Sequence, residues 1–317
     1  MIRLVNNMIK KILKSMLKFR LIRDTIEHFK YKKLLSDDTL TDEEYLIKYG
    51  QITLGYKMDL KNPKTFNEKL NWYKLNYYDE LMAKVVDKSQ SKDYVESKGL
   101  SNIVIKTLMT INSVDEIDFT KLPNSFVIKN TNDSGGVFVC KDKNKIDINK
   151  VKAKLANSEN KTYINGKHRF RENLYNKYPN KVIVEEYLKT KDGHAPYDYK
   201  FFCFNGEPKF LFVGSERDTE VKFDFFDINF NWLDVRQGHK NNKNRPQKPE
   251  NYEEMLNICR ILSKDFPHVR VDLYNIDGKI YFGELTFYHF AALVPFKPKK
   301  YDSIFGEYFN IDGIKNI

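Results

Sequence analysis

Cysteine is scarce in this chain of 317 residues: only Cys140, Cys203 and Cys259 occur. They are far apart, odd in number and form no CxxC pair, so neither a disulfide framework nor a zinc site is indicated. A reducing cytoplasm is the expected compartment. No run of 18 or more apolar residues occurs, so no transmembrane helix is predicted. The N-terminus is basic throughout and lacks an apolar stretch ending in small residues, so no signal peptide is predicted either. The histidines (His28, His168, His194, His239, His268 and His289) are scattered, with no HExxH pair, and no Ser-His-Asp or Cys-His arrangement stands out. A covalent nucleophile supplied by the protein is therefore not expected. No Gly-Lys-Ser/Thr follows a glycine-rich loop, which excludes a P-loop. No RNA-binding module is recognisable, and no nucleic-acid partner is expected. The nearest thing to a strand-borne Asp-x-Asp is Glu116-Ile-Asp118, in a polar connector, which argues against a metal-dependent glycosyltransferase.

What is present is apolar and aromatic enough to fold: 41% hydrophobic and 14% aromatic residues argue against disorder. The length exceeds one typical domain and predicts two lobes with an appendage. The net charge of +11 suits nucleic acid, an anionic membrane face or polyanionic substrates equally, so charge alone does not choose. Part of it is local. Residues 1–33 carry ten Lys and Arg against Asp24 and Glu27. Over 1–35 the apolar positions Ile2, Val5, Met8, Ile9, Ile12, Met16, Phe19, Ile22, Ile26 and Phe29 recur at helical spacing. Two readings stand: a helix lying on an anionic membrane surface, or an ordinary amphipathic helix docked on the body or on a second copy.

Residues 36–100 read as helical. One helix starts near Phe66 after the turn Asn62-Pro63-Lys64-Thr65, and another runs from about Asp79 to Lys98 before Gly99. Short strands follow at Ile103–Lys106, Phe126–Lys129, Val137–Cys140 and Val182–Glu185. An antiparallel series is predicted over Tyr199–Phe204, Pro208–Val213 and Phe223–Asp227, then Val269–Tyr274 and Ile280–Leu285. Asn205-Gly206 and Asp277-Gly278 serve as hairpin turns. The expected division is 36–100, 101–190 and 191–317.

Four constellations could carry chemistry. Lys129 ends a strand that enters Asn-Thr-Asn-Asp-Ser134-Gly135-Gly136, a loop able to turn backbone N–H groups onto a phosphate, or simply a hairpin. Arg270 and Asp272 share one strand face, as do Glu284 and Thr286 on the partner strand. A cation, two carboxylates and a hydroxyl together suit Mg²⁺ on a triphosphate; a structural ion pair is the plainer reading. Glu185-Glu186-Tyr187-Leu188 leaves a buried strand and could read an adenine edge, or merely end the strand in solvated carboxylates. Asp87-Lys88 reads by composition as a solvated helix face.

The order of these motifs resembles the ATP-grasp superfamily, and the wording is similar to the TupA-like ATP-grasp family of bacterial cell-surface polymer loci. The matching stretches begin with Asn62-Pro-Lys-Thr-Phe-Asn-Glu-Lys69, Val86-Asp-Lys88 and Leu122-Pro-Asn-Ser-Phe-Val-Ile-Lys129. They continue with Tyr199-Lys-Phe-Phe-Cys-Phe-Asn-Gly206, Phe266-Pro-His-Val-Arg-Val-Asp-Leu-Tyr274 and Gly278-Lys-Ile-Tyr-Phe-Gly-Glu-Leu-Thr-Phe287. The resemblance covers roughly residues 40–310. It implies an α+β fold of two lobes whose antiparallel sheets clamp ATP, the small lobe and its lid within 101–190 and the metal site within 191–317.

The resemblance also implies residue roles. Lys88 would contact the α-phosphate region and Lys129 would stand at the base of the lid. Ser134, Gly135 and Gly136 would form the lid loop. Glu185, Glu186, Tyr187 and Leu188 would form the hinge, with the Glu186 carbonyl and the Leu188 amide facing adenine, and Asp192 would meet the ribose. Arg270 would meet the transferred phosphoryl group, with Lys200 and Arg217 on phosphate or acceptor. Asp272 and Glu284 would carry Mg²⁺, two ions in most of the superfamily. Thr286 stands where many members have Asn. Ala291-Ala292 replace a Gly- or Ser-containing turn, and Asn130-Thr-Asn132 replaces a His- or Gly-rich lid start. The implied activity is ligation of a carboxylate to an amine with ATP and Mg²⁺, on a carboxylate- or sugar-bearing molecule or polymer. A glycosyltransferase, a sugar kinase and a basic membrane-associated binding protein are the alternatives.

Overall fold

A computed structural model describes residues 34, 37, 39–133, 135–164 and 167–314. The basic helix expected over 1–35 thus lies, apart from Leu34, outside the described residues, as does Ser134. Among the described residues no helix is long and apolar enough to cross a membrane. The chain divides into two compact units, 1–58 and 59–317.

In the first unit, α1 (Asp42–Thr53) starts at a capping box: Thr41 accepts the Glu44 N–H and the Glu44 carboxylate accepts the Thr41 N–H. Tyr45, Leu46, Tyr49 and Gly50 are its buried residues.

The second unit opens with α2 (Phe66–Asn76), started by the same device at Thr65 and Glu68. Then come α3 (Glu80–Val85) and α4 (Gln90–Ser97). The single helix predicted over 79–98 is thus broken. Asp87 breaks it: its carboxylate accepts the N–H groups of Ser89 and Gln90, competing with the helical ladder.

A four-stranded antiparallel sheet has the order β1-β6-β2-β3. It comprises β1 (Thr107–Ile111), β2 (Phe126–Asn130), β3 (Val137–Cys140) and β6 (Val182–Glu186). The first strand lies a few residues beyond the predicted Ile103–Lys106. Ile103 and Ile105 are buried, and the Lys92 ammonium holds the Ile105 carbonyl at 2.7 Å, so this apolar stretch is an anchor rather than a strand. Between β3 and β6 lie α5 (Ile148–Thr162) and a small two-stranded sheet, β4 (Tyr163–Ile164) with β5 (Lys167–His168), neither strand of which the sequence reading includes. Alternation divides β2 and β6 cleanly. Phe126, Ile128, Val182 and Val184 enter a core with Val151 and Leu155 of α5. Val127, Lys129, Ile183 and Glu185 take the other face.

The second sheet is six-stranded and antiparallel, in the order β10-β9-β8-β7-β11-β12. Its strands are β7 (Tyr197–Phe204), β8 (Glu207–Ser215), β9 (Lys222–Asp227), β10 (Trp232–Leu233), β11 (His268–Ile276) and β12 (Lys279–Thr286). Both hairpin turns fall where the glycine dipeptides predict them. Helices cover both faces, so β7 is buried on both sides. Phe201 meets Tyr252 of α6 (Tyr252–Ser263), while Phe202 and Phe204 meet Phe66 of α2 edge-on. Phe210 stacks on Phe305 of α7 (Lys300–Tyr308), a helix outside the sequence reading. These rings pack with aliphatic side chains such as Leu70, Leu211, Met255 and Val269 in the core of this lobe. The face that packs on α2 changes character along its strands. It runs Phe204, Phe202, Lys200, Asp198 on β7 and Arg270, Asp272, Tyr274 on β11. Where the aromatic core stops, the charges begin.

Candidate active site

The sheet register builds the charged cluster directly. Arg270 pairs with Thr286 and Phe202, and Asp272 pairs with Glu284 and Lys200. The pairing of β11 with β12 slips by one residue beyond Asp272, at Gly283. A Cβ on Gly283 would lie 3.0 Å from the Asp272 carbonyl, so glycine permits that close approach.

Arg270 is the centre. Its Nε and Nη2 donate to the two oxygens of Asp272, at 2.7 Å each. Nη2 also donates to Thr286 Oγ1 at 2.9 Å and to Glu284 Oε1 at 3.2 Å. Nη1 donates to His289 Nδ1 at 2.7 Å, and His289 Nε2 donates to Gln237 Oε1 at 2.8 Å. Burial and the adjacent cations Arg270 and Lys200 hold His289 far below the usual histidine range, so it is a neutral acceptor. Lys200 reaches both Asp272 and Asp198, the latter at 2.8 Å. Asp198 also receives Arg217 at 3.0 Å.

The two carboxylates differ. Burial raises Asp272 above the ordinary range in spite of Arg270 and Lys200. Glu284 is also subject to burial, but Lys200, Lys88 and Arg270 outweigh it and bring its pKa down to about 2. Glu284 therefore stays anionic through the physiological range, and its side chain is 39% exposed where that of Asp272 is 1% exposed.

Opposite stands the small sheet. Lys129 binds Glu185 at 2.5 Å, and Lys92 binds the other Glu185 oxygen at 2.5 Å. Burial works against the Lys129 charge, but Glu185 holds its pKa above the ordinary lysine value, with Tyr274 and Glu284 adding to the effect. Lys129 thus faces the charged strands of the large sheet. Glu185 serves as its counter-ion and is buried rather than solvated. Glu186 is exposed at the strand end, its N–H on the Lys106 carbonyl, and Tyr187 and Leu188 follow half-buried.

Asp87-Lys88 is not a solvated helix face. Asp87 is 2% exposed at the helix break, and Lys88 points across to the Thr131 and Asp133 carbonyls at 3.3 and 2.6 Å. Composition could not show this, because the break depends on Asp87 folding back on its own backbone. In the glycine loop, the Gly136 N–H donates to Asp133 Oδ1 at 3.1 Å, so that amide is occupied within the loop rather than turned toward a ligand. Gly135 has φ 114°, a left-handed value.

One cavity of about 500 Å³ is lined by Lys88, Lys200, Arg270, Glu284 and Thr286 from this set, with Asn132 and Asp133 at the lid. Asp192 and Arg217 line a different cavity, of about 580 Å³, with Thr190, His194 and Asp277. The structure therefore brings Lys88, Lys200, Arg270, Glu284 and Thr286 to one cavity, with Asp272 joined to them through Arg270 and Lys200; Lys129, Gly135 and Gly136 do not line it, and the ribose candidate Asp192 lies elsewhere. Sequence reasoning missed Lys92, Asp198 and Gln237, each of which acts by pairing with a residue distant in sequence. Glu116 and Asp118 lie on short turns, where Asp118 accepts the Thr120 N–H.

A model of the family described as TupA-like ATPgrasp matches residues 68–310. The chain belongs to the TupA-like ATP-grasp family. No curated protein matches the chain. Among solved structures, this TupA-like chain is similar to D-alanine–D-alanine ligase from Bacillus anthracis complexed with ATP, at 16% identity over 64% of this chain and 54% of that one, with a TM-score of 0.39. It is also similar to D-alanine–D-alanine ligase from Helicobacter pylori (15% identity, 77% of this chain, 68% of that one, TM-score 0.40). A third likeness is to an L-amino acid ligase from Bacillus licheniformis (13%, 63% and 42%, TM-score 0.38). The chain spans about half of the B. anthracis enzyme it matches.

ATP-grasp proteins typically use Mg²⁺, and the donor set here fits that ion. Mg²⁺ takes one or two protein carboxylates and completes its shell with phosphate oxygens and water. Asp272, Glu284 and the Thr286 hydroxyl offer hard oxygens side by side. Among the described residues no group of three or more His, Cys, Asp or Glu side chains could hold a metal ion by itself.

Proposed function

We propose that this TupA-like protein is an ATP- and Mg²⁺-dependent ligase that activates a carboxylate as an acylphosphate and joins it to an amine. The observation that carries the reading is the anionic, half-exposed Glu284 beside Lys88, Lys200 and Arg270 in one cavity. Three cations around one carboxylate are an anion-binding site with a metal ligand already in place.

In this reading Lys88, Lys129, Lys200 and Arg270 hold the phosphates, with Lys88 at the lid and Arg270 on the transferred group. Gly135, Gly136 and Ser134 belong to the lid, and Glu186 to Leu188 to the adenine end. Asp192 and Arg217, in the neighbouring cavity, would reach ribose or acceptor only across that separation. Mg²⁺, held by Asp272, Glu284 and Thr286, would neutralise charge on the phosphate oxygens as the phosphoryl group moves. The carboxylate oxygen attacks the γ-phosphorus, ADP leaves, and the amine then displaces phosphate from the acyl carbon. Positioning and electrostatics carry such a reaction without a protein nucleophile. The family resemblance favours a sugar acid or polymer of the bacterial cell surface as substrate; the scarce, unpaired cysteines favour a cytoplasmic setting, and the basic amphipathic pattern of residues 1–33 suits either the inner membrane face or docking on the body or a second copy.

The test is incubation with ATP, Mg²⁺, sugar acids such as glucuronate, an amine panel and hydroxylamine. Hydroxamate with stoichiometric ADP supports the ligase. ADP with a phosphorylated sugar and no hydroxamate would identify a kinase. Consumption of a sugar nucleotide without ATP would identify a glycosyltransferase.

A further inference from the structure

The cavity that holds the charged cluster has a second wall, from the segment after β5. His168, Phe170, Glu172 and Tyr175 line it, with Tyr288 beside them. Glu172 is buried, at 8% exposed, yet reaches the cavity. Three acidic side chains line this cavity among the described residues: Asp133, Glu172 and Glu284. Asp133 holds the Gly136 N–H and the Asn130 amide, and Glu284 faces Arg270, Lys200 and Lys88. Glu172 has no such engagement. Its nearest polar contact is His168 Nε2, at 3.6 Å from Oε2.

The surroundings of Glu172 set its protonation. His168 Nδ1 accepts the N–H groups of Phe170 and Glu172 at 3.3 Å each, so the ring proton sits on Nε2 and faces the carboxylate. His168 is itself buried and neutral, with a pKa near 3, from burial first and then from Lys74 and Arg171. The Lys74 ammonium is committed to the Ala291 carbonyl at 2.8 Å and to Asn71 Oδ1 at 3.1 Å. It attracts Glu172 across space without a direct bond. The phenols of Tyr175 and Tyr288 are the other titratable groups facing Glu172, both raised by burial and both neutral. Burial raises Glu172 above the carboxylate range and Lys74 only partly offsets this.

We infer that Glu172 is the general base of the ligation step, taking a proton from the incoming ammonium in the cavity it shares with Arg270 and Glu284. The inference rests on the ligase reading above. An amine arrives protonated at neutral pH and has no lone pair to attack with. Glu172 takes one proton, giving the neutral amine and a neutral carboxyl. The amine lone pair forms the C–N bond at the acyl carbon, the C–O bond to phosphate breaks, and phosphate leaves with that electron pair. A second proton from the former ammonium nitrogen departs with phosphate, and the neutral amide keeps the rest. A carboxylate whose affinity for protons is raised by burial, and which is held by no cation in contact, is suited to this transfer.

Hydroxylamine separates the base from the rest of the machinery, because it is already neutral at pH 7. Full-length wild type and Glu172→Gln are assayed with ATP, Mg²⁺ and a carboxylate that gives hydroxamate, using hydroxylamine or ammonium chloride as nucleophile. The expected result is hydroxamate formation within about threefold of wild type and a loss of about a hundredfold or more in amide formation from ammonium. Glu172→Asp should restore part of the ammonium reaction, and raising the pH so that free ammonia accumulates should narrow the gap for Glu172→Gln. Equal loss with both nucleophiles, or no loss with either, overturns the role of Glu172 while leaving the ligase intact. Absence of hydroxamate from wild type with every carboxylate overturns the ligase reading and this inference together.

Discussion

Arg270 Nη1 donates to His289 Nδ1 at 2.7 Å, and that bond fixes the proton of His289 on the nitrogen facing Gln237. The imidazole is therefore a positioning residue for the guanidinium. His289→Leu removes the acceptor and leaves a buried N–H of Arg270 unpaired, a loss of about 1–3 kcal/mol. We predict a fall of roughly tenfold to a hundredfold in kcat/KM for ATP, by the same energy scale. His289→Gln, which keeps an acceptor, should recover part of it. Steady-state kinetics on both variants checks this.

Glu185 separates Lys92 from Lys129. Glu185→Gln leaves two buried ammonium groups without their counter-ion, and removal of one partner from such a group costs about 3–5 kcal/mol. Urea unfolding should report a loss of that order. Lys129→Met leaves Glu185 paired with Lys92, so it should cost less stability while weakening ATP binding.

Gly136 is tight by packing rather than by dihedral angle. A Cβ there would lie 2.6 Å from Asn130 Nδ2 and closer still to the Asp133 carboxylate that accepts its N–H. Gly136→Ala should shift Asp133, whose carbonyl Lys88 holds, and cost about 1–3 kcal/mol. Gly278→Ala meets nothing within 4 Å and strains only the turn, where φ is 83°. Thermal unfolding of both variants, with ATP affinity as a second readout, distinguishes the cases: Gly136→Ala should affect both and Gly278→Ala stability alone.

Much of this was legible in the sequence because it is periodic or local. The hairpins at Asn205-Gly206 and Asp277-Gly278 and the shared face of Arg270 and Asp272 follow from turn chemistry and strand alternation. The helix start near Phe66, after the turn Asn62-Pro63-Lys64-Thr65, is equally local. What escaped depends on contacts between distant segments. Asp87 looks like any helical carboxylate until it is seen to be buried at a break, and Glu185 looks solvated until Lys92 and Lys129 close on it. Helix α7 escaped because its apolar face is aromatic and short, and declares itself only against Phe210 and Phe225.

Three buried histidines predict the pH response of stability. His168 and His268 have pKa values near 3 and His289 lies well below its ordinary value, burial being the main cause for each. The unfolded chain takes up their protons near pH 6.5 while the folded chain does not, so their contribution is present above that pH and is lost as pH falls toward the folded values. Each contributes up to about 1.4 kcal/mol per pH unit in that window. Glu172 and Asp272, raised by burial, act in the opposite sense. The contribution of one group is therefore read as a difference. His268→Gln should unfold with a pH slope between pH 6 and 4 shallower than wild type by about one proton, measured by urea titrations across that range.

Lys88, Lys200, Arg270 and Glu284 line one cavity, and the proposed function has them grip one magnesium-bearing triphosphate. Isothermal titration of ATP into the full-length protein, with and without Mg²⁺, tests that most directly when repeated on Glu284→Gln. The account predicts saturable binding that strengthens with Mg²⁺ in the wild type and loses the Mg²⁺ dependence in Glu284→Gln. Binding indifferent to Mg²⁺, or equally strong and metal-dependent in Glu284→Gln, would contradict it.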